Sequence, residues 1–406
     1  MDYYILHHLQ QLNTEEKLYR TLINAEKNMQ SENLISNNNS VDFIGIIIDK
    51  DTLIYSFPKH YPIDKNNMIE DFQLLFKVII ANNNSVGLDI QSKNQFPIAD
   101  YLKIHNYYLN NGLYIEYDKY DSLQPNGKVN WLKMIRNSNK IIDNNNLILH
   151  PTIYQKETTS LVYLTECMDY ILFESYKKYF KYINNSFKYE RQFFNNSFEN
   201  TDFVISKLYK LLSITFKDST KKLIISCINY FKWQGSYGTS FQLFITDFNF
   251  YWQKMIHYYL NENSITPEYV FSKSNPNIVN DIKFYRNDEN FCFYESEKNF
   301  FIDSIDTSLF PIFIDHFCCN QNNLYLLDSK YYIDTDSLNY KQCAYYYFIH
   351  NIPQYKNKIT YNILIYPTSE TFHSKIILNR SHIPNDSLVL SAVFFNIKEI
   401  MKFYVS

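Results

Sequence analysis

Glycine scarcity sets the tightest limit on what this chain can fold into. Six glycines are spread over 406 residues, where an average usage of ~7% would supply roughly 28. They are Gly45, Gly87, Gly112, Gly127, Gly235 and Gly238, and only the last two are close together. Dinucleotide fingerprints and P-loops need clustered glycines, because backbone must approach phosphate there. Neither G-x-G-x-x-G nor GxxxxGK[ST] occurs. If this protein works with nucleotides, a second chain supplies the domain that binds them. A large core is still within reach, since 46% of the residues are hydrophobic. The Asn-rich stretches at 37–39, 82–84 and 144–146 read as loops between apolar segments.

The chain holds 38 Tyr and 32 Phe. Tyr, Phe, Asn, Lys and Ile have AT-rich codons, so this surplus reads first as mutational bias and core filling. Base-stacking platforms are the minor reading. Trp131 and Trp252 are expected in the core. The net charge of -3 does not announce a nucleic-acid binder. The six cysteines form no C-x-x-C pair, and no HExxH or Cys/His zinc spacing appears, which suits a reducing cytoplasm. The N-terminus lacks a basic stretch followed by a long apolar one, and no run approaches 18 apolar residues, so neither a signal peptide nor a membrane span is expected.

Periodicity divides the chain. Residues 1–35 read as helix, with apolar spacing around Leu18 to Ile23. Residues 41–58 read as a strand hairpin, and 67–82 as an amphipathic helix carrying Met68, Phe72, Leu75, Val78 and Ile79. Residues 159–217 read as mostly helical, with Leu161, Leu164, Met168, Ile171 and Leu172 at spacings of three and four. A break at Gly235 to Ser240 precedes a helix at 252–260 and strands near Phe291, Phe313, Leu326 and Leu364. This gives an N-terminal α+β region at 1–235, for assembly and open to DNA contact, and a C-terminal α/β domain at 236–406. Residues 240–406 carry 13 basic and 17 acidic side chains. The middle is locally basic, from Lys177, Lys178, Lys181, Lys188 and Arg191 to Lys207, Lys210, Lys217, Lys221 and Lys222. Those lysines are either solvated helix faces or a surface that meets phosphate.

The sharpest chemistry lies between Phe310 and Tyr332. Two β-rich runs flank Asn320 to Asn323, which is turn chemistry. Closing a hairpin there sets Cys319 opposite Leu324, with paired positions summing to 643. Asp315 then faces Asp328, with Cβ atoms ~4.5–5.5 Å apart. Lys330, two residues on, shares that face. Opposed carboxylates repel, and a hard divalent cation with oxygen ligands neutralises them. A lysine beside it can orient a water and stabilise charge on a phosphoryl oxygen. That set suits phosphodiester hydrolysis. A register slip of one residue would turn Asp315 away, with Asp303, Asp306, Asp334 and Asp336 as nearby substitutes. His316 is expected on the opposite sheet face. In the bland reading Asp315 caps a turn, and Asp328 with Lys330 is a surface ion pair.

Asp315-x12-Asp328-x-Lys330 on an apolar hairpin resembles the PD-(D/E)xK nuclease core. Leu324 to Tyr332 resembles a strand of McrC-like and LlaJI-type restriction endonuclease subunits. Lys341-Gln342 before Tyr345, the strand at 362–367, and the Phe250 to Met255 helix are similar to segments of that family in the same order. So are Phe43 to Ile47, Ser56 to Lys59, and Gly127 to Ile135. The resemblance implies a C-terminal restriction-endonuclease-like mixed sheet flanked by helices. It implies an Mg2+-dependent endodeoxyribonuclease of a phage-defence system, acting on double-stranded DNA with an AAA+ GTPase partner and open to homo-oligomer formation. Asp315 and Asp328 would hold Mg2+, Lys330 would position water, and Gln342 would assist, with Tyr346 on the Gln342 helix face. The chain departs from the family at Ile314, in place of the usual Pro, and at Gln253, in place of a helical Glu. Asp247 and Glu262 are candidate replacements for that Glu. These departures leave a second expectation: a nuclease-fold subunit that scaffolds or stimulates its partner.

Overall fold

The structure, a computed structural model, describes residues 2–14, 16–29, 34–49, 52–64, 67–83, 96–125, 127–143, 146–160, 162–180, 188–193, 196–237, 240–275, 278–287, 292–294, 313–331, 339–350, 352–380 and 388–406. It divides into two compact units: residues 1–95 with 240–406, and residues 96–239.

The first unit opens with β1 (Asp2–His7), α1 (Lys17–Met29), β2 (Ile44–Asp49), β3 (Thr52–Phe57) and α2 (Met68–Asn83). The helix expected over 1–35 is thus a strand followed by a shorter helix. The run from Tyr3 to Leu6 is β-rich and pairs in parallel with β3. The helical spacing belongs to α1 alone, which buries Leu18, Leu22 and Ala25. The hairpin expected at 41–58 is present, with Gly45 opposite Ser56 through Asp49 opposite Thr52.

The second unit contains α3 (Ile98–Asn111), β4 (Glu116–Ser122), β5 (Lys128–Val129), α4 (Trp131–Asn137), β6 (Asn139–Asp143), β7 (Asn146–His150), β8 (Tyr154–Ser160), α5 (Tyr163–Lys178), a 3-10 turn (Asn196–Glu199), α6 (Thr201–Ile214) and α7 (Asp218–Tyr237). Its core is aromatic. Phe96, 1% exposed, meets the rings of Tyr101, Tyr179, Phe180, Tyr230 and Trp233. Trp131 departs from expectation: it starts α4 on the surface and is 64% exposed. Part of the basic stretch has structural work, since Lys178 pairs with Glu174 one helical turn away and Lys207 lies 4.3 Å from the Tyr163 ring centre.

The chain then returns to the first unit with β9 (Ser240–Ile245), α8 (Asn249–Glu262), β10 (Ile265–Phe271), β11 (Val279–Arg286), β12 (His316–Cys319), β13 (Asn323–Ser329), α9 (Asn339–His350), β14 (Ile359–Thr368), β15 (His373–Asn379), β16 (Val389–Asn396) and α10 (Ile397–Val405). Strand β9 completes the N-terminal sheet, ordered β1-β3-β2-β9, by pairing antiparallel with β2. One division near 235 is therefore corrected. The N-terminal strands close their sheet with a strand from beyond residue 239, so 1–95 belongs with 240–406.

The second sheet runs β12-β13-β14-β16-β15. Its three central strands are parallel, and β12 and β15 flank them antiparallel. Such interior strands are covered on both faces and read as continuous apolar runs, as β13 and β14 do. The fold is α/β with mixed sheets. Helix α9 covers one face, where Tyr345 and Ile349 pack on Leu324 and Leu326. Helix α8 serves the other, and its Trp252 is fully buried, with the indole N–H donating to the Ile365 carbonyl at 3.3 Å. Among the described residues, no helix is long and apolar enough to cross a membrane.

Candidate active site

Four side chains converge at the C-terminal end of β13. The hairpin pairs His316 with Leu327 through Cys319 with Leu324, which is the register that the Asn320–Asn323 turn implies. Asp315 stands one residue before β12, and its Oδ2 accepts the Ser329 N–H at 2.8 Å. Alternation along β13 places Asp328 on the α9 face with Leu324 and Leu326. Asp328 is 1% exposed. Its Oδ2 accepts from Gln342 Nε2 at 2.8 Å and from Lys330 Nζ at 2.6 Å. The same Nζ lies 3.9 Å from Asp315 Oδ2. One ammonium nitrogen therefore bridges two carboxyl groups, and a buried amide completes the set.

This arrangement is short of positive charge. Burial, the Asp328 charge and a hydrogen bond with Asp328 push the Asp315 carboxyl up to about 8. Lys330 and the Ser329 N–H oppose that rise without cancelling it. Two buried oxygens, Asp328 Oδ1 and Gln342 Oε1, accept no hydrogen bond from the described residues. Buried polar atoms are normally satisfied, so these two need an account. The Gln342 backbone is held from behind, where Asn362 Nδ2 donates to its carbonyl at 3.0 Å.

Lys341 is a site neighbour that the sequence reading passed over. Burial opposes its charge, but the Tyr345 hydroxyl, Asp328 and Asp315 outweigh burial and raise the lysine above its ordinary value. The signal was available, because Lys341 precedes Gln342 in the chain. What was missing was the rotation of α9 about its axis relative to the sheet.

His316 lies on the opposite face, as alternation requires, and is fully buried. Its Nε2 is 2.7 Å from Ser329 Oγ, and its Nδ1 is 3.2 Å from His257 Nδ1. Burial first, then His257 and Lys330, hold it well below the usual histidine range, so it supports the strand as a neutral ring. Tyr331, next to Lys330, ties the site to the N-terminal sheet. Its hydroxyl accepts the Lys59 N–H at 2.5 Å, and its ring stacks on His8 at 5.7 Å. Tyr346 stacks on His350 at 5.0 Å, one turn along α9.

The acidic substitutes for Gln253 sit at the two ends of α8. Asp247, just before the helix, accepts the Asn249 N–H at 2.9 Å and acts on His8 and Tyr251. Glu262 closes the helix. Asp303, Asp306, Asp334 and Asp336 lie outside the described residues. Among the described residues, no group of three or more His, Cys, Asp or Glu could hold a metal ion. The donors are two carboxylates and an amide oxygen. Mg2+ asks for little more, because it keeps several waters and takes one or two carboxylates. A cleft of about 850 Å³ lies elsewhere, lined by Tyr259, Phe284, His373, Phe395 and Glu399 and by none of the four site residues.

No protein-family model matches the chain, and no curated protein matches it in sequence. Among solved structures, it is similar to a chain in the refined half-complex from a tetradecameric assembly of Thermococcus gammatolerans McrB AAA+ hexamers with bound McrC. That likeness covers 99% of this chain and 98% of the other, at 11% identity and a TM-score of 0.39.

Proposed function

We propose that this chain is a DNA endonuclease subunit that hydrolyses phosphodiesters with Mg2+ at Asp315, Asp328, Lys330 and Gln342, on a core of the PD-(D/E)xK type. One observation carries the reading: a buried carboxyl group, a half-buried one and a buried amide meet a lysine, with Asp328 Oδ1 and Gln342 Oε1 accepting nothing from the described residues. Oxygen donors in that number suit a hard cation, held by Asp315 and Asp328. Such a cation lowers the pKa of a bound water and polarises a phosphoryl oxygen. Lys330 positions the attacking water and stabilises charge that builds on the phosphate. Gln342 fixes the Asp328 carboxylate through its N–H. Double-stranded DNA as target, an AAA+ GTPase partner and a place in a restriction system rest on the resemblance of the sequence motifs.

The test pairs metal binding with cleavage. Wild type should bind Mn2+ by calorimetry and cut plasmid DNA in Mg2+. Asp328→Asn should lose both. Lys330→Ala should keep the metal and lose about 10²–10³-fold in rate, as removal of one preorganised charge-stabilising group does. Cleavage unchanged by Lys330→Ala would sink the site. Gln253, an amide where the resembling helix carries a carboxylate, favours the second reading of a nuclease-fold subunit that stimulates its partner. Mn2+ binding without cleavage of any DNA would support that reading.

A further inference from the structure

We propose that Lys341, in the first turn of α9, seats the DNA backbone over the carboxylate pair. The site then works with two lysines: Lys330 inside, on the carboxylates, and Lys341 outside, on a phosphate of the substrate. This rests on the nuclease reading of the carboxylate site.

The place of Lys341 follows from how α9 lies on β13. Gln342, early in α9, meets Asp328, late in β13. Tyr345 and Ile349, further along the helix, pack on Leu324 and Leu326, earlier in the strand. Helix and strand therefore run in opposite directions. Lys341, Tyr345 and Ile349 follow one another at i, i+4 spacing and share one helix face. From Ile349 back to Lys341 the helix rises about 12 Å. From Leu324 on to Asp328 the strand advances about 13 Å. The row that packs Ile349 over one end of the strand thus brings Lys341 over the carboxylates at the other. Ile314, next to Asp315 in the chain, belongs to the same packed cluster, so Asp315 lies on that side as well.

The Lys341 ammonium is held in place, with its Nζ 5.2 Å from the centre of the buried Tyr345 ring. Burial acts against its charge, and the Tyr345 hydroxyl, Asp328 and Asp315 outweigh burial. The two lysines differ in access. The Lys330 side chain is 12% exposed, and its Nζ lies 2.6 Å from Asp328 Oδ2 and 3.9 Å from Asp315 Oδ2. Lys341 is half-buried, and among the described residues it forms no ion pair with either carboxylate. Tyr340 beside it is 75% exposed, so the first turn of α9 opens outward. A lysine kept only to neutralise the carboxylates would sit on them, as Lys330 does. Charge counting leads to the same place. A divalent cation on Asp315 and Asp328 neutralises both, and Lys330 adds a positive charge. Lys341 then faces a site with positive charge in excess. The partner that its charge lacks is an anion, and the anion that this site draws is a backbone phosphate, which a lysine meets as a compact point charge.

The experiment measures binding of a fluorescein-labelled DNA duplex to the full chain by anisotropy over a salt series in Ca2+, which takes oxygen ligands as Mg2+ does. Thermal melts of each variant serve as a fold control, and calorimetry with Mn2+ reads the metal site separately. Lys341→Gln should lower the slope of log affinity against log salt by about 0.9, one phosphate contact to a duplex. Lys341→Arg, which keeps the charge and binds phosphate, should restore the slope. In Mg2+, Lys341→Gln should raise KM for a cleaved duplex with kcat nearly kept, the mark of a contact made alike in ground and transition states. Mn2+ binding should survive the substitution. Equal slopes for wild type and Lys341→Gln, or no duplex binding by wild type, overturn the proposal, and Mn2+ binding by wild type then leaves the carboxylate site standing. A lowered slope in Lys341→Gln and its return in Lys341→Arg, with no Mn2+ bound by wild type, uphold Lys341 as a DNA contact while the metal site fails.

Discussion

At the scale of single residues, Asp315 makes the site testable without a substrate. An ordinary aspartate in the unfolded chain loses its proton near 3.8, whereas folded Asp315 keeps its proton to about 8. Between those values the folded state binds the extra proton, so Asp315 makes stability fall as pH rises through that window and leaves it unaffected below. In metal-free buffer, the urea midpoint of wild type should drop from pH 5 to pH 8 by more than that of Asp315→Asn, which has no proton to lose. Equal pH slopes in the two proteins would show that Asp315 is not a high-pKa carboxyl. Adding Mg2+ at pH 8 should stabilise wild type more than the variant, because the cation replaces the proton as neutraliser. Asp315, Asp328 and Lys330 could be placed together from sequence because an Asn-rich turn fixes the register and strands alternate with a period of two. Lys341 and His316 differ in this respect. The face of His316 follows from the same alternation, but the approach of Lys341 depends on how a helix is rotated over the sheet, which no local pattern encodes.

At the scale of elements, two contacts set the frame under the site. Gly45 has φ +146, and an added Cβ would fall 2.6 Å from Phe244 Cα and closer still to the Leu243 carbonyl. The glycine lets β9 approach β2. Gly45→Ala should therefore cost about 1–3 kcal/mol from strained backbone alone, read as a lowered denaturation midpoint, and a neutral result would mean that β2 and β9 are not closely paired. Trp252, fully buried in α8, should cost about 3–5 kcal/mol on truncation to Ala. The elements that local pattern revealed were the β2–β3 hairpin, α2, α8 and the central strands β13 and β14, each with strong periodicity or a continuous apolar run. The first 35 residues misled because the helical signal of α1 was extended over a β-rich segment. The choice there is made by β3, which lies some 50 residues away in sequence and supplies the pairing partner. Trp131 misled for a related reason: a tryptophan is usually core, and nothing local says that α4 presents it outward.

At the scale of the whole chain, the unit of residues 96–239 is inserted between two segments that share a sheet. Sequence reading placed one crossing near 235, close to the observed one, because Gly235 and Gly238 mark it. The crossing near 95 was invisible, since its evidence is the pairing of β2 with β9 nearly 200 residues apart. An insertion with a core of its own should fold by itself. The rings around Phe96 come from residues 101, 179, 180, 230 and 233, all within the unit. Asp169 is a second internal anchor. It is fully buried and accepts from the Tyr189 hydroxyl at 2.7 Å and from the Gln192 and Phe193 amides at 2.9 and 3.0 Å. A fragment of residues 96–239 should therefore be soluble, show helical circular dichroism and melt cooperatively. Phe96→Ala in that fragment should lower its stability by about 3–5 kcal/mol. A fragment that melts without a transition would mean that these residues need the rest of the chain, and the aromatic core would then be a surface completed by the first unit rather than a core in its own right.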